Sequence, residues 1–367
     1  MKFSLQREQI LPGLQIVNAV IERRHTLPIL SNFLVCVKSD VISLTGTDME
    51  VELITSVKQP TKENIEFTLP GRKFLDICRA LPENASLDIT TEKDQVILKS
   101  GKSRFILATL PAKEFPSTDI GTPIASFQMQ QGDLKSLLED TMFAMAQQDV
   151  RYYLNGLLLE VSPNALRAVA TDGHRLAMKD IKEKIDITEK IPVIIPRKGV
   201  IEAARLLKHN NEPIQIKLTK NHIRIVFDDT QFTCKLIDGR FPDYERVLPK
   251  PPHVPLIANR ETLKQGLTRA SILSNEKFKG VRLSLKKDGI KALAHNPEHE
   301  EAEEEIEVSY EGPEMEMGFN VSYLLDALNA IKTNNVILIA TNPDSSCLIL
   351  PEQQDNASKY VVMPMRL

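Results

Sequence analysis

Two short stretches hold residue types that could do chemistry. His295-Asn-Pro-Glu-His299 has the H-x-x-E-H spacing of inverted zinc peptidases, whose two histidines share one helical face around the metal. Pro297 stands between them and would break that helix, and an acidic run follows directly, so the match is read as accidental. Thr171-Asp-Gly-His-Arg-Leu176 offers an acid, a flexible glycine and a histidine. No second acid, no serine in a nucleophile elbow and no metal-ligand partner accompanies it. There is no P-loop and no dinucleotide fingerprint. A metal-dependent hydrolase using His295, Glu298, His299 or Asp172 is the catalytic alternative to a binding protein without cofactor or metal.

The elements around these stretches repeat. Phe3-Ser-Leu-Gln-Arg-Glu-Gln-Ile-Leu-Pro-Gly-Leu14, Phe127-Gln-Met-Gln-Gln-Gly-Asp-Leu-Lys-Ser-Leu-Leu138 and Leu256-Ile-Ala-Asn-Arg-Glu-Thr-Leu-Lys-Gln-Gly-Leu267 begin alike. Each alternates as a strand does, then places apolar residues four apart as a helix does. A second helix is predicted over 70–81, 196–207 and 320–331, with Leu75, Ile201 and Leu325 followed by Asp76, Glu202 and Asp326. Thr47-Asp48, Thr171-Asp172 and His295-Asn296 occupy one place in each unit, so the Thr-Asp pair reads as a structural turn rather than as catalytic material. Offsets of roughly 124–129 residues are too long for a solenoid. The expected fold is α+β: three tandem copies of one domain, two helices on antiparallel sheets, at 1–121, 122–251 and 252–367. Linkers are expected near Asp119–Pro123 and Lys250–Pro255.

Composition narrows the function. The 367 residues carry a net charge of -3 and no tryptophan. A protein gripping DNA through many phosphates is usually basic, so any contact with DNA should be local and weak. Cys36, Cys78, Cys234 and Cys347 are dispersed and read as buried thiols in a reducing cytoplasm. No apolar run approaches a membrane span.

Tandem domains suggest a ring or arc. Lys73, Lys102 and Arg104 beside Phe105 and Leu107 could pair head to tail with Ile272, Leu273 and the acidic run from Glu298 to Glu307. Equally, these are strand residues and a solvated loop; the residues alone leave both open. The apolar terminus Tyr360-Val-Val-Met-Pro-Met-Arg-Leu367 reads as a strand whose last residues line a groove, in preference to a plain edge strand.

The chain closely resembles the β sliding clamps of bacterial DNA polymerase III. The resemblance rests on Thr26–Leu30, Leu44–Asp48, Arg72–Arg79, Gln148–Gly156, Thr171–Leu176, Pro196–Val200, Asp238–Tyr244, Leu273–Phe278, Phe319–Tyr323 and Tyr360–Leu367, which cover all three units in order. It implies a non-catalytic processivity factor: a head-to-tail homodimer closing a pseudo-sixfold ring around double-stranded DNA. Phe105 and Leu107 would meet Ile272 and Leu273 of the other subunit, with Lys73, Lys102 and Arg104 near Glu298, Glu300 and Glu304. A groove would take short apolar peptides from the DNA polymerase III catalytic subunit, the clamp loader complex, translesion polymerases and mismatch-repair proteins. By resemblance it comprises Leu154, Thr171, Gly173, His174, Arg175, Leu176, Pro242, Arg246, Val247, Asn320, Tyr323, Ser346, Val361, Val362, Met363, Pro364, Met365 and Arg366, with Arg151 beside it. Asp344 departs from the pattern at the groove lip. Arg24, Arg72, Gln148, Tyr152, Tyr153, Arg197 and Lys198 would touch DNA phosphates without reading bases. A monomeric peptide-binding scaffold is the non-enzymatic alternative.

Overall fold

The computed structural model describes residues 2–21, 27–61, 63–249, 254–352 and 357–366. In chain order the first third gives β1 (Lys2–Gln6), α1 (Arg7–Val17), β2 (Asn32–Lys38), β3 (Val41–Thr47), β4 (Val51–Lys58), β5 (Ile65–Pro70), α2 (Gly71–Ala80), β6 (Ser86–Thr91), β7 (Gln95–Ser100) and β8 (Ser103–Ala108). The second gives β9 (Ala125–Gln130), α3 (Gln131–Glu139), β10 (Gly156–Ser162), β11 (Ala165–Thr171), β12 (Arg175–Lys182), β13 (Ile191–Pro196), α4 (Arg197–Leu206), β14 (Pro213–Leu218), β15 (His222–Phe227) and β16 (Thr230–Lys235). The third gives β17 (Leu256–Asn259), α5 (Arg260–Ser271), β18 (Gly280–Lys286), β19 (Gly289–His295), β20 (Glu301–Glu307), β21 (Met315–Asn320), α6 (Val321–Ala330), β22 (Asn335–Ile339), β23 (Cys347–Pro351) and β24 (Ser358–Val362). The order β-α-β-β-β-β-α-β-β-β occurs three times, with helices where the apolar period changed.

The chain forms two compact units, 1–132 with 201–236 and 133–200 with 237–367. Unit 1 holds the sheets β1-β6-β7-β8 and β5-β2-β3-β4-β16-β15-β14-β9. Unit 2 holds β20-β19-β18-β21 and β13-β10-β11-β12-β24-β23-β22-β17. The eight-stranded sheets arise because β4 pairs with β16 and β12 with β24, all antiparallel. Each join thus links one repeat to the next. The linker expected at 250–255 falls partly outside the described residues.

In each unit the core lies between helix and sheet. Ile10, Leu14 and Val17 are the buried side of α1; Leu263, Leu267 and Ala270 are that of α5. A glycine on each helix allows close approach. A Cβ on Gly13 would stand 2.8 Å from Thr55 Cγ2, and one on Gly266 would stand 2.6 Å from Ile306 Cδ1. Packing at this density leaves no room for that carbon. The strands follow the period of two: β9 alternates buried and exposed along its whole length. No helix of the described residues is long and apolar enough to cross a membrane.

Candidate functional site

The Thr-Asp turns are equivalent bond for bond. Thr171 Oγ1 donates to the Arg175 carbonyl (2.6 Å) and accepts from Gly173 N (3.1 Å). Asp172 Oδ1 accepts from His174 N and Arg175 N at 2.9 and 3.0 Å. In the first repeat Thr47 Oγ1 bonds the Val51 carbonyl and Met49 N, and Asp48 Oδ1 accepts from Glu50 N and Val51 N. The pair closes a hairpin by satisfying its backbone, as short polar side chains do. Asp172 is thus committed to structure. His295 ends β19, His299 has φ +65° in the following turn, and no group of three or more metal-ligating side chains occurs among the described residues. The helical zinc geometry is absent.

Beside the Thr171 turn, unit 2 carries a cavity of ≈ 200 Å³. Leu176 and Val361, adjacent across the join of β12 and β24, form its floor. Leu154, Pro242, Val247 and Met363 add apolar walls; Arg151, Thr171, Gly173 and Arg175 also line it. The C-terminal tail is pinned twice, by Met363 N to the His174 carbonyl and by Met365 N to the Gly318 carbonyl, both 2.9 Å. These bonds hold an apolar chain end in place where fraying is usual. Gly173 has φ +89°, and a Cβ there would meet the Arg151 guanidinium at 3.2 Å. Arg151 is itself held by Asp149 at 2.9 Å.

Sequence reasoning missed three lining residues, Tyr153, Asp243 and Tyr244. Tyr153, assigned to DNA by resemblance, packs against the core beneath the cavity. Tyr244 Oη donates to buried Glu160 at 2.6 Å and accepts from Arg167 Nη1 at 3.1 Å. Lys190 reaches Glu160 at 2.6 Å and Asp180 holds Arg167 at 2.6 Å. Burial, then the Glu160 carboxylate, pushes the Tyr244 phenol up to about 12. This network gives the buried carboxylate its partners.

Other expected groove residues lie around the cavity without lining it. Val362 is buried opposite Arg175, one position along β24 from Val361. Asn320 caps α6, its Oδ1 accepting from Ser322 N at 2.9 Å. Tyr323 stacks on His174, ring centroids 6.5 Å apart. Ser346 Oγ donates to the Val247 carbonyl at 2.7 Å, tying the loop that carries exposed Asp344 to the cavity wall. Arg246 is exposed and pairs with Asp243 at 2.7 Å. Pro364 and Met365 are half-buried and Arg366 is exposed.

Of the residues expected on DNA, Arg72, Gln148 and Tyr152 are exposed. Arg197 and Lys198, at the start of α4, are half-buried, and Arg197 donates to the Met145 carbonyl at 3.1 Å. Arg24 lies outside the described residues. Of the expected interface residues, Lys73, Lys102, Arg104, Glu298 and Glu300 are exposed, Phe105 and Leu273 are half-buried, and Leu107 is buried. Ile272 is 75% exposed. Glu304 is held by Arg269 at 2.7 Å, and Asn296 donates to Glu300 at 2.6 Å.

Comparison with known proteins decides the family. Residues 1–119, 128–243 and 245–366 match the N-terminal, central and C-terminal domains of the DNA polymerase III beta subunit. The chain belongs to the DNA polymerase III beta subunit family, the beta sliding clamps. It is 50% identical to the beta sliding clamp of Pseudomonas putida, covering all of both chains. The crystal structure of the beta subunit from Pseudomonas aeruginosa superposes with a TM-score of 0.97 at 49% identity over all of both chains. The P. aeruginosa sliding clamp bound to griselimycin gives 0.96 at 49% identity, again over all of both chains. The chain is thus made of three clamp domains, and as a beta clamp it is a non-catalytic processivity subunit of DNA polymerase III.

Proposed function

We propose that two copies of this chain join head to tail into a ring around duplex DNA, with domains 1–121, 122–251 and 252–367, and that the unit 2 cavity receives apolar peptide segments of its partners. The strand order carries the reading. The fourth strand of one repeat pairs with the last strand of the next, as β4 does with β16 and β12 with β24. Among the described residues nothing pairs on the outer side of β8 or β20, the two remaining strands of these kinds. Such edges are templates for strand addition. Joining β20 to β8 of a second copy continues the series, and the reciprocal join closes a twofold dimer.

Register follows from the same equivalence. Phe232 faces Leu53 and Tyr360 faces Ala177. The matching pair is Phe105 with the second copy's Ala302, which sets Arg104 opposite Glu303. Exposed Ile272, with Leu273, is available to the apolar side chains of β8. Lys73 and Lys102 face the acidic run, a complementarity that orients the partners more than it tightens them.

Topology then holds the ring on DNA, which suits a net charge of -3. Arg24, Arg72, Gln148, Tyr152, Tyr153, Arg197 and Lys198 supply sequence-independent contacts. The cavity, apolar with a few polar groups at its lip, suits a peptide anchor. Its occupants are the DNA polymerase III catalytic subunit, the clamp loader, translesion polymerases and mismatch-repair proteins; griselimycin is assigned to the same place. The four cysteines are free thiols, in keeping with a cytoplasmic setting.

Retention on DNA tests the ring. The protein is loaded onto nicked circular plasmid with clamp loader and ATP, washed in high salt, and half the sample is linearised. High salt strips ordinary phosphate binders. Retention on circles with loss from linear ends is expected; equal loss from both, with a loader shown to engage the protein, contradicts the ring and favours a monomeric scaffold.

A further inference from the structure

Arg175 is adjacent to Leu176 in β12 and stands where the Thr171 turn meets the cavity, which it helps to line. Its guanidinium is engaged all round. Nε donates to Asp172 Oδ2 at 3.1 Å, Nη2 donates to the Phe143 carbonyl at 2.8 Å, and Nη1 pairs with Asp326 on α6. The Tyr323 ring lies 4.5 Å from the guanidinium carbon and the Phe143 ring 5.4 Å. A planar fork with three of its five N–H donors committed to two carboxylates and a carbonyl, and two rings beside it, is fixed in place before any peptide arrives. Arg175 in turn holds other groups in place. Through Asp172 it braces the turn whose Thr171 and Gly173 line the cavity. Through Asp326 and Tyr323 it ties that turn to α6, and His174 stacks on the same Tyr323 with 19° between the rings.

The equivalent junction in unit 1 lacks this tie. Val51 stands where Arg175 does, and Glu202, in Asp326's place, pairs with Arg205 on its own helix at 2.9 Å. The tie therefore accompanies the cavity and is not a general requirement for joining two repeats.

We infer that Asp326 is a positioning residue of the peptide groove: through Arg175 it fixes the 171–175 turn and the His174–Tyr323 stack in the arrangement that receives an apolar peptide. The inference rests on the groove reading above. Asp326 does not line the cavity and touches no ligand. Removing its charge leaves Asp172 as the counter-ion of Arg175, so no buried charge is stranded and the fold survives.

The test compares wild type, Asp326→Asn and Asp326→Glu, alone and in an Arg175→Ala background, as full-length dimers. Surface plasmon resonance reads binding of the DNA polymerase III catalytic subunit, differential scanning fluorimetry reads Tm, and sedimentation reads the dimer. Val247→Glu in the cavity wall is the control for the groove itself. Asp326→Asn should weaken polymerase binding about five- to tenfold, mainly through faster dissociation. Its Tm and dimer should match wild type, Asp326→Glu should restore binding, and Asp326→Asn should add nothing to Arg175→Ala. If Val247→Glu loses binding while Asp326→Asn binds as wild type, the inference is overturned and the groove stands. A parallel fall in Tm and affinity that Asp326→Glu does not restore marks a structural role and also overturns it. Unchanged binding by Val247→Glu overturns the groove reading and this inference with it.

Discussion

Leu176 and Glu52 stand at the same place in successive repeats, each directly across its hairpin from a threonine, Thr171 and Thr47. Both are 4% exposed. Leu176 forms the cavity floor with Val361. Glu52 instead accepts from Thr118 N at 3.2 Å, near Arg224, which reaches the Thr118 carbonyl. One backbone plan thus gives an apolar recess in unit 2 and a polar plug in unit 1. Replacing Leu176 by Glu should put an unpaired carboxylate into the floor. On the groove reading, binding of the polymerase catalytic subunit should fall below detection, with dimerisation kept; calorimetry and sedimentation check the two halves of that expectation.

Burial raises the Glu52 carboxyl above its ordinary value, against the opposing effects of the Thr118 bonds and Arg224. The folded chain therefore keeps this proton to higher pH than the unfolded chain. Its contribution to stability is most favourable at acidic pH and declines as pH rises through the carboxylate range. Glu52→Gln should abolish that decline. Urea midpoints taken from about pH 4 to pH 8 should favour the variant progressively as pH rises. A difference that is constant with pH would contradict the assignment.

Tyr244→Phe removes one hydrogen-bond donor from Glu160 while Lys190 remains. The expected loss is about 1–2 kcal/mol, the usual cost of leaving a buried acceptor short of a partner. Because the folded phenol titrates near 12, above its ordinary value, the loss should stay constant up to about pH 10 and shrink beyond it. Urea denaturation across that range measures both.

The repeat and both helices of each copy of it were legible because the apolar period changes from two to four at fixed places. The Thr-Asp turns were legible because the pair recurs where chemistry would not. The lining was less so. Tyr244 joins the cavity because 237–248 packs over the sheet, and Tyr153 packs on the same cluster, long-range events that local pattern does not encode. Phe241-Pro-Asp-Tyr244, aromatic residues around a proline, was the available signal. Val362 neighbours Val361 along β24 and stands opposite Arg175, beside the lining and not in it. Resemblance names neighbourhoods; the pleat decides which side chains share a face.

The tail should matter for partners and not for the ring. Residues 363–366 follow the last strand, and their described backbone bonds run to His174 and Gly318. Deleting Met363 to Leu367, of which Leu367 lies outside the described residues, removes one cavity wall and leaves β24 paired with β12 and β23. Polymerase binding should be lost, while retention on circular DNA after loading by a tail-independent route, such as reassembly of separated subunits around the plasmid, should persist. Preserved polymerase binding would mean that the groove lies elsewhere.

The edge register gives the sharpest test of the dimer. At the two internal joins an aromatic residue faces a smaller aliphatic one, Phe232 with Leu53 and Tyr360 with Ala177. Carrying the register to the free edges brings Phe105 and the second copy's Ala302 to the directly opposed separation of roughly 4.5–5.5 Å between Cβ atoms. That spacing is near what a disulfide tolerates. Phe105→Cys combined with Ala302→Cys should therefore form two intermolecular bonds per dimer on mild oxidation, giving a covalent ring that survives denaturant. The one-step shift Phe105→Cys with Glu303→Cys should cross-link poorly, because neighbours along a strand point to opposite faces. Efficient cross-linking of the shifted pair and none of the first would move the register by one residue. Failure of both, with a dimer still seen by sedimentation, would place the interface away from β8 and β20.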